Sequence, residues 1–320
     1  MWLLLGLVAA LCWAIEEVYL KLGNDEGEDA PSQYKSAVCL GVFMGLAGLL
    51  MLPFSESETF IELIVNNKEF LIVPTVFAIT TAISFIGYRY LDMSIQVSVE
   101  GASSPLALII LVIWYLAIGH FDSIWEEFDI IDMAAAGLII VCVVILTVVQ
   151  QLSHTGKLYL PSKKKKYAWW VMIFPIIYLF GDAFDTVICG VILNKDLGGE
   201  LSSVDYNILY SLMFVVIGAF CWLRMYFKEG VAYNPFKKSE HPKMVGTALE
   251  TVGQICSVFS MELTPVFSTV VFSAYPILSV FLSYIVLKER MVPVQWVCIT
   301  CILLSLVVLG VSEAMGIMAG

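Results

Sequence analysis

Apolar stretches separated by short polar breaks recur along the whole chain. About 20 apolar residues wound as a helix cover the hydrocarbon core of a bilayer, so each stretch predicts a membrane-spanning helix. The pattern places helices near 2–21, 35–54, 70–89, 94–118, 131–150, 168–193, 206–226, 244–261, 264–287 and 293–315. The breaks are charged or turn-like, among them "NDEGEDAPSQ", "SESET", "HFDSIWEEFD", "SHTGKLYLPSKKKK" and "LKERMVP", and none is long enough to fold as a soluble domain. The predicted fold class is an all-α polytopic membrane protein with ten transmembrane helices.

Composition agrees. The 320 residues are 60% hydrophobic and 14% charged, with a mean hydropathy of +0.88. Soluble domains average about 45–50% apolar and about 25% charged residues. A net charge of −11 leaves no basic surface to neutralise phosphates, which argues against a nucleic-acid partner. The eight cysteines follow no disulfide or zinc spacing, and most stand singly in apolar runs as small packing residues. Cys298 and Cys301 share a predicted helix face without further ligands nearby in sequence. The acidic "NDEGED" lacks the spacing of a calcium loop. No cofactor or metal is expected. The opening "MWLLLGLVAALC" has the look of a signal peptide, but it has no basic start and carries large Leu11 where cleavage wants a small residue. It is read as a retained first helix.

Basic residues orient the chain. The loops and helix ends on one side carry Lys21, Lys35, Arg89, Lys157, the run Lys163 to Lys166, Arg224, Lys228, Lys237, Lys238, Lys243, Lys288 and Arg290, leaving Lys68 and Lys195 for the other. The positive-inside rule then puts both termini outside the cytoplasm, in a bacterial inner membrane by expectation.

The two halves of the chain are alike. Laying 88–116 over 259–287 pairs Pro105 with Pro276, Ser98 with Thr269, Ala102 with Ser273 and Leu106 with Ile277. "AALCWAIEEV" of the first helix lies over "IYLFGDAFDT" of the sixth, each with acids just after an aromatic. Five helices per repeat make the second copy inverted in the membrane, the architecture of secondary transporters with a site near the midplane. The expected organisation is a first five-helix repeat at 1–152, a basic cytoplasmic linker at 153–167 and a second repeat at 168–320.

The segment "SMELTPVFSTVVFSAYPILSVFLSYIVLKER" followed by a final apolar helix resembles the end of an EamA repeat of the drug/metabolite transporter superfamily. "LVAALCWAIEEVYLKLG" resembles that family's opening helix, whereas helix 4 departs from it by ending in "LAIGHF" where the second half has "LKER". The resemblance implies export or exchange of a small molecule by alternating access, with cargoes in the family ranging over amino acids, sugars, nucleotide sugars, purines and cationic drugs.

Acids inside spans are the candidate chemistry, because a carboxylate at that depth costs about 2.5–3.5 kcal/mol even on insertion scales. Glu16, Asp182 and Asp185 are the candidate proton-coupling groups. Asp182 and Asp185 sit three apart and so share a helix face, where two carboxylates cannot both ionise cheaply. Glu17, Glu100, Glu250 and Gln254, with the aromatics Trp13, Tyr88, Tyr178 and Tyr275, are the candidate substrate-binding residues, the rings being suited to stacking on an organic cation. The alternative for Glu17 is a local pair with Lys21, four residues on. For Glu100 and Glu250 it is helix packing along polar stripes.

Catalysis is not expected. "LFGDAF" has only part of an intramembrane aspartyl protease motif, and His120, His154 and His241 fall in predicted loops. The expected function is a secondary transporter, acting through protons and a small organic or cationic metabolite, as a monomer or homodimer in the lipid bilayer. A neutral or zwitterionic cargo such as an amino acid or sugar is the alternative within transport, and a receptor or scaffold is the alternative outside it.

Overall fold

A computed structural model describes residues 1–24, 32–91, 93–119, 130–154, 169–197, 199, 201–230, 232–288 and 293–319. Lys157, the lysine run 163–166, His120, Arg290, "NDEGED" apart from Asn24, and nearly all of the 153–167 linker lie outside them. Among the described residues the structure is helical throughout: α1 (Trp2–Gly23), α2 (Ser32–Met51), α3 (Phe60–Asn66), α4 (Ile72–Tyr90), α5 (Met93–Glu100), α6 (Ser103–Ala117), α7 (Ile130–His154), α8 (Ile173–Leu193), α9 (Ser203–Glu229), α10 (His241–Leu263), α11 (Pro265–Phe272), α12 (Tyr275–Leu282) and α13 (Pro293–Ala319). Among the described residues, seven helical stretches are long and apolar enough to cross a membrane. They are 2–23, 32–54, 72–90, 96–117, 170–193, 203–229 and 265–287. Shorter apolar stretches, Ile130–Cys142 and Pro293–Leu309, lie in α7 and α13. Helix α10 is more polar, and it buries Glu250, Thr251, Gln254 and Ser257.

The predicted helices 94–118 and 264–287 are each interrupted. The first breaks at Gly101 and Ala102 between α5 and α6, and the second at Ser273 and Ala274 between α11 and α12. Each break lies just ahead of a proline, Pro105 or Pro276, whose missing N–H and ring bulk spoil a straight helix. Past each break the ladder resumes in the same way, with Leu106 N donating to Ala102 O at 3.3 Å and Leu278 N to Ala274 O at 3.3 Å. The two breaks touch: a Cβ on Gly101 would come within 2.1 Å of Pro276 Cγ. Only glycine permits that approach.

Helix α1 packs along α10, and α2 along α9. In the second pair Gly41 faces the Phe214 carbonyl and Gly218 at backbone contact. Small residues let helices close in where lipid supplies no hydrophobic drive between them. One buried apolar cluster gathers side chains from α2, α4, α8 and α9, and another gathers α7, α11, α12 and α13.

Buried polar contacts tie the helix ends. At one end Lys35 Nζ and Lys243 Nζ lie 3.7 and 3.2 Å from the two Glu240 carboxylate oxygens, and Tyr233 Oη donates to Glu240 Oε2 at 3.2 Å. Burial pushes the Tyr233 phenol well above its ordinary range, and the nearby Cys39 and Glu240 add to this. Lys21 Nζ donates to the Tyr88 and Leu91 carbonyls at 2.7 and 2.9 Å, so it serves the C-terminus of α4. At the other end Ser203 donates to Glu262, Ser55 Oγ to Asp205 Oδ1 at 2.6 Å and Ser260 Oγ to the Trp2 carbonyl at 2.9 Å. His154 ends α7 and His241 begins α10, so these two are helix-terminal rather than loop residues.

Candidate functional site

Helices α1, α4, α8 and α10 and both helix breaks converge on one cavity. From α1 come Trp13, Glu16 and Glu17; from α4, Thr81, Ser84 and Tyr88; from α8, Tyr178, Asp182 and Thr186; from α10, Glu250 and Gln254. The breaks contribute Ser104 at the start of α6, and Phe272 and Tyr275 on either side of the second break. The cavity volume is about 30 Å³. Ligand sites usually offer about 300–1,000 Å³, so the space has room for water-sized molecules and not for an organic cargo.

The charges are of one sign. Glu16, Glu17, Asp182 and Glu250 line the cavity, and among the described residues no lysine, arginine or histidine does. Glu250 lies against Glu16 and Trp13. Ser103 Oγ donates to Asp182 Oδ2. Since Ser103 is the first residue of α6, that carboxylate also sits at the positive end of a helix dipole. The aromatic wall is built from edge contacts: the Trp13 ring lies 5.3 Å from Phe272 and 5.8 Å from Tyr275, with interplanar angles of 76° and 69°. Phe77 and Tyr178 lie 5.7 Å apart across the α4–α8 contact.

Of the residues singled out from sequence, Trp13, Glu16, Glu17, Tyr88, Tyr178, Asp182, Glu250, Gln254 and Tyr275 line this cavity together. Two do not. Asp185 is buried and turns to α9, where Tyr206 Oη donates to its Oδ1 at 2.9 Å. The shared face expected for Asp182 and Asp185 is thus divided between the cavity and a neighbouring helix. Glu100 is buried behind Tyr88 and accepts from Gln96 Nε2 at 2.6 Å. Lys21, the alternative partner of Glu17, is engaged elsewhere. Tyr88 Oη donates to Glu17, while Lys21 donates to carbonyls on and just past α4.

Sequence reasoning passed over Thr81, Ser84 and Thr186. The α4 set was readable: Phe77, Thr81, Ser84 and Tyr88 follow the four, three, four spacing of one helix face. Among the described residues no three His, Cys, Asp or Glu side chains converge as a metal site requires.

No similar sequence is found among curated proteins. Residues 174–320, a little under half of the chain, match the model of the Triose-phosphate Transporter family. That match and the apolar helices support a multi-pass membrane transporter of small molecules within the drug/metabolite transporter superfamily, without singling out its EamA branch.

Proposed function

We propose that the chain is a secondary transporter that exports or exchanges a small organic cation for protons by alternating access. The observation that carries this reading is the cavity's four carboxylates with no basic side chain among the described lining residues. Triose phosphates are anions, and a buried phosphate is normally met by arginine or lysine forks. Here a phosphate would face Glu16, Glu17, Asp182 and Glu250 across a few ångströms of low dielectric. A cation, or protons in its place, is what such a lining can neutralise. Trp13, Tyr178 and Tyr275 add ring faces suited to a cation.

In this reading the helices form ten spans in two inverted five-helix repeats like those of EamA transporters. The breaks at Gly101–Ala102 and Ser273–Ala274 support it, since they fall within a residue of equivalent positions when Pro105 is laid on Pro276. Discontinuous helices at the midplane are where such transporters hold their cargo. The small cavity, with ties at both helix ends, corresponds to an occluded state. The lysine-rich end is cytoplasmic, and both termini lie on the opposite side of a bacterial inner membrane. Catalysis plays no part in this reading, and one chain contains a whole site.

Binding tests it directly. Purified protein in detergent, titrated with tetraphenylphosphonium, should bind the cation and release protons. Glu16→Gln should weaken binding about tenfold to a hundredfold, the value of a charged contact. Inorganic phosphate should not compete. Binding of phosphate without binding of the cation would overturn the proposal. The second reading is a neutral or zwitterionic cargo with the acids carrying protons only. It is favoured by the hydroxyl and amide lining of Thr81, Ser84, Ser104, Thr186 and Gln254. Under it, Glu16→Gln and Asp182→Asn would still exchange cargo in proteoliposomes but lose accumulation driven by a pH gradient.

A further inference from the structure

Behind the cavity lies a buried chain of polar groups that substrate binding alone does not explain. Gln96 Nε2 donates to Glu100 Oε1 at 2.6 Å and to the Ser84 carbonyl at 3.1 Å. Glu100 Oε2 lies 3.3 Å from Tyr88 Oη, and Tyr88 Oη in turn contacts Glu17 Oε2. Glu17 and Tyr88 line the cavity; Glu100 and Gln96 do not, and both are fully buried. The groups that face Glu100 come from several helices: Glu16 and Glu17 on α1, Ser84 and Tyr88 on α4, Gln96 on α5, Tyr178 on α8 and Tyr275 on α12. The cations on these elements are engaged elsewhere. Lys21 holds the Tyr88 and Leu91 carbonyls, and the Arg89 guanidinium lies over the Tyr90 ring.

Counting hydrogens limits what this chain can be. A phenol has one O–H to give, and an ionised carboxylate has none. Tyr88 Oη is the donor toward both carboxyl groups, to Glu17 Oε2 and, at 3.3 Å, to Glu100 Oε2. Its single proton cannot make both bonds at full strength, so a second proton on one of the two carboxyl groups completes the chain. On Glu100 that proton would let Oε2 donate back to Tyr88 Oη while Gln96 holds Oε1.

We propose that Glu100 is a proton store that reaches the cavity through the Tyr88 hydroxyl and neutralises Glu17 from behind. The step is a concerted double transfer. The Glu100 Oε2–H bond breaks as one forms at Tyr88 Oη, and the original Tyr88 O–H bond breaks as one forms at Glu17 Oε2. Glu17 becomes neutral and Glu100 becomes a carboxylate held by Gln96, with no atom gained or lost. A cation held at Glu17 would lose its counter-charge without any proton crossing the occluded cavity. The reverse transfer refills the store once the cavity opens to protons. This deepens the cation–proton exchange proposed above and rests on it for its purpose, but the stored proton itself can be observed without any cargo.

Infrared spectroscopy of the purified, cargo-free protein near neutral pH tests it through the carbonyl stretch of protonated carboxyl groups. Glu100→Gln should delete one such band. Tyr88→Phe, which keeps the ring and removes the hydroxyl, should keep that band and shift it, because the donor contact is lost. A spectrum unchanged by Glu100→Gln would overturn the store, and one unchanged by Tyr88→Phe would overturn the route. Should Glu100→Gln fail to fold, the Tyr88→Phe shift decides alone. Failure of tetraphenylphosphonium to bind, with these bands behaving as stated, would reject the cation reading and leave the store standing.

Discussion

Two pairs of acids occupy related places in the molecule, Glu16 and Glu17 on α1 and Asp182 and Asp185 on α8, and they end in opposite arrangements. The adjacent pair points about 100° apart on its helix, yet both members line the cavity. The pair three residues apart shares a face by spacing, yet only Asp182 lines it. The neighbours make the difference. Helix α1 is wrapped by α4, α10 and the α11–α12 break, so a wide sector of its surface looks into the site. Helix α8 is held flat against α4 at Gly181, and α9 lies close enough on its flank for Tyr206 to take Asp185. Spacing along a helix fixes the direction of a side chain, and the packed partners decide what lies in that direction.

The largest test of this contrast compares the two aspartates. Asp182→Asn should lower cation affinity about tenfold to a hundredfold, as loss of a charged contact does. Asp185→Asn keeps an oxygen to accept from Tyr206 and should change affinity by less than about threefold, well under the 1.4 kcal/mol of a tenfold change. Isothermal titration of both variants with tetraphenylphosphonium would show it, and equal losses would erase the distinction. Next in size is Tyr206→Phe, which removes the 2.9 Å donor to buried Asp185 and leaves Tyr210 beside it. A lost partner of that kind costs about 1–3 kcal/mol. It should appear as a lower thermal midpoint in detergent with cation affinity intact.

The hold on α8 can also be loosened. A Cβ at position 181 would lie 2.3 Å from Thr80 Oγ1 and 2.6 Å from Thr80 Cγ2, so Gly181→Ala must push α8 off α4. Overpacking of this kind costs about 1–3 kcal/mol. Thr80→Ala in the same chain removes both of those atoms and should restore part of the thermal midpoint. Absence of any recovery would mean that α4 does not fix the face α8 presents.

Much of this was legible in the sequence, and the limits have physical reasons. Apolar run length placed the helices to within a few residues because each must bury or expose a continuous apolar surface. Pro105 and Pro276 were visible as a matched pair, but the breaks beside them depend on Gly101 meeting Pro276 across the two halves, a contact distant in sequence. Helix α3 was passed over although Thr59 and Glu62 have capping-box spacing, and Thr59 Oγ1 does accept from the Glu62 amide at 3.2 Å. The cavity residues were found because acids and aromatics are conspicuous in apolar runs. Thr81 and Ser84 were not, since hydroxyls are ordinary there. Asp185 and Glu100 lie outside the lining because Tyr206 and Tyr88 stand beside them, and no local spacing announces a partner on another helix.

The smallest effect concerns the α1 side of the contrast. If Glu16 and Glu17 both reach the cavity because α1 is wrapped on several sides, a slight push from one side should be tolerated. Gly253 supplies the push: a Cβ there would lie 2.8 Å from Trp13 Nε1 and 2.9 Å from its Cδ1. Those atoms belong to a side chain and not to backbone, so in Gly253→Ala the indole can tilt where backbone could not. Trp13 rests against Glu250 and edge-on to Phe272 and Tyr275, so its shift alters one wall and leaves the carboxylates of α1 in place. The expected outcome is a loss of cation affinity of about threefold, within the range of one exposed cation–π contact, and little change in thermal midpoint. A loss as large as that of Asp182→Asn would mean that α1, like α8, presents its acids through a single narrow contact.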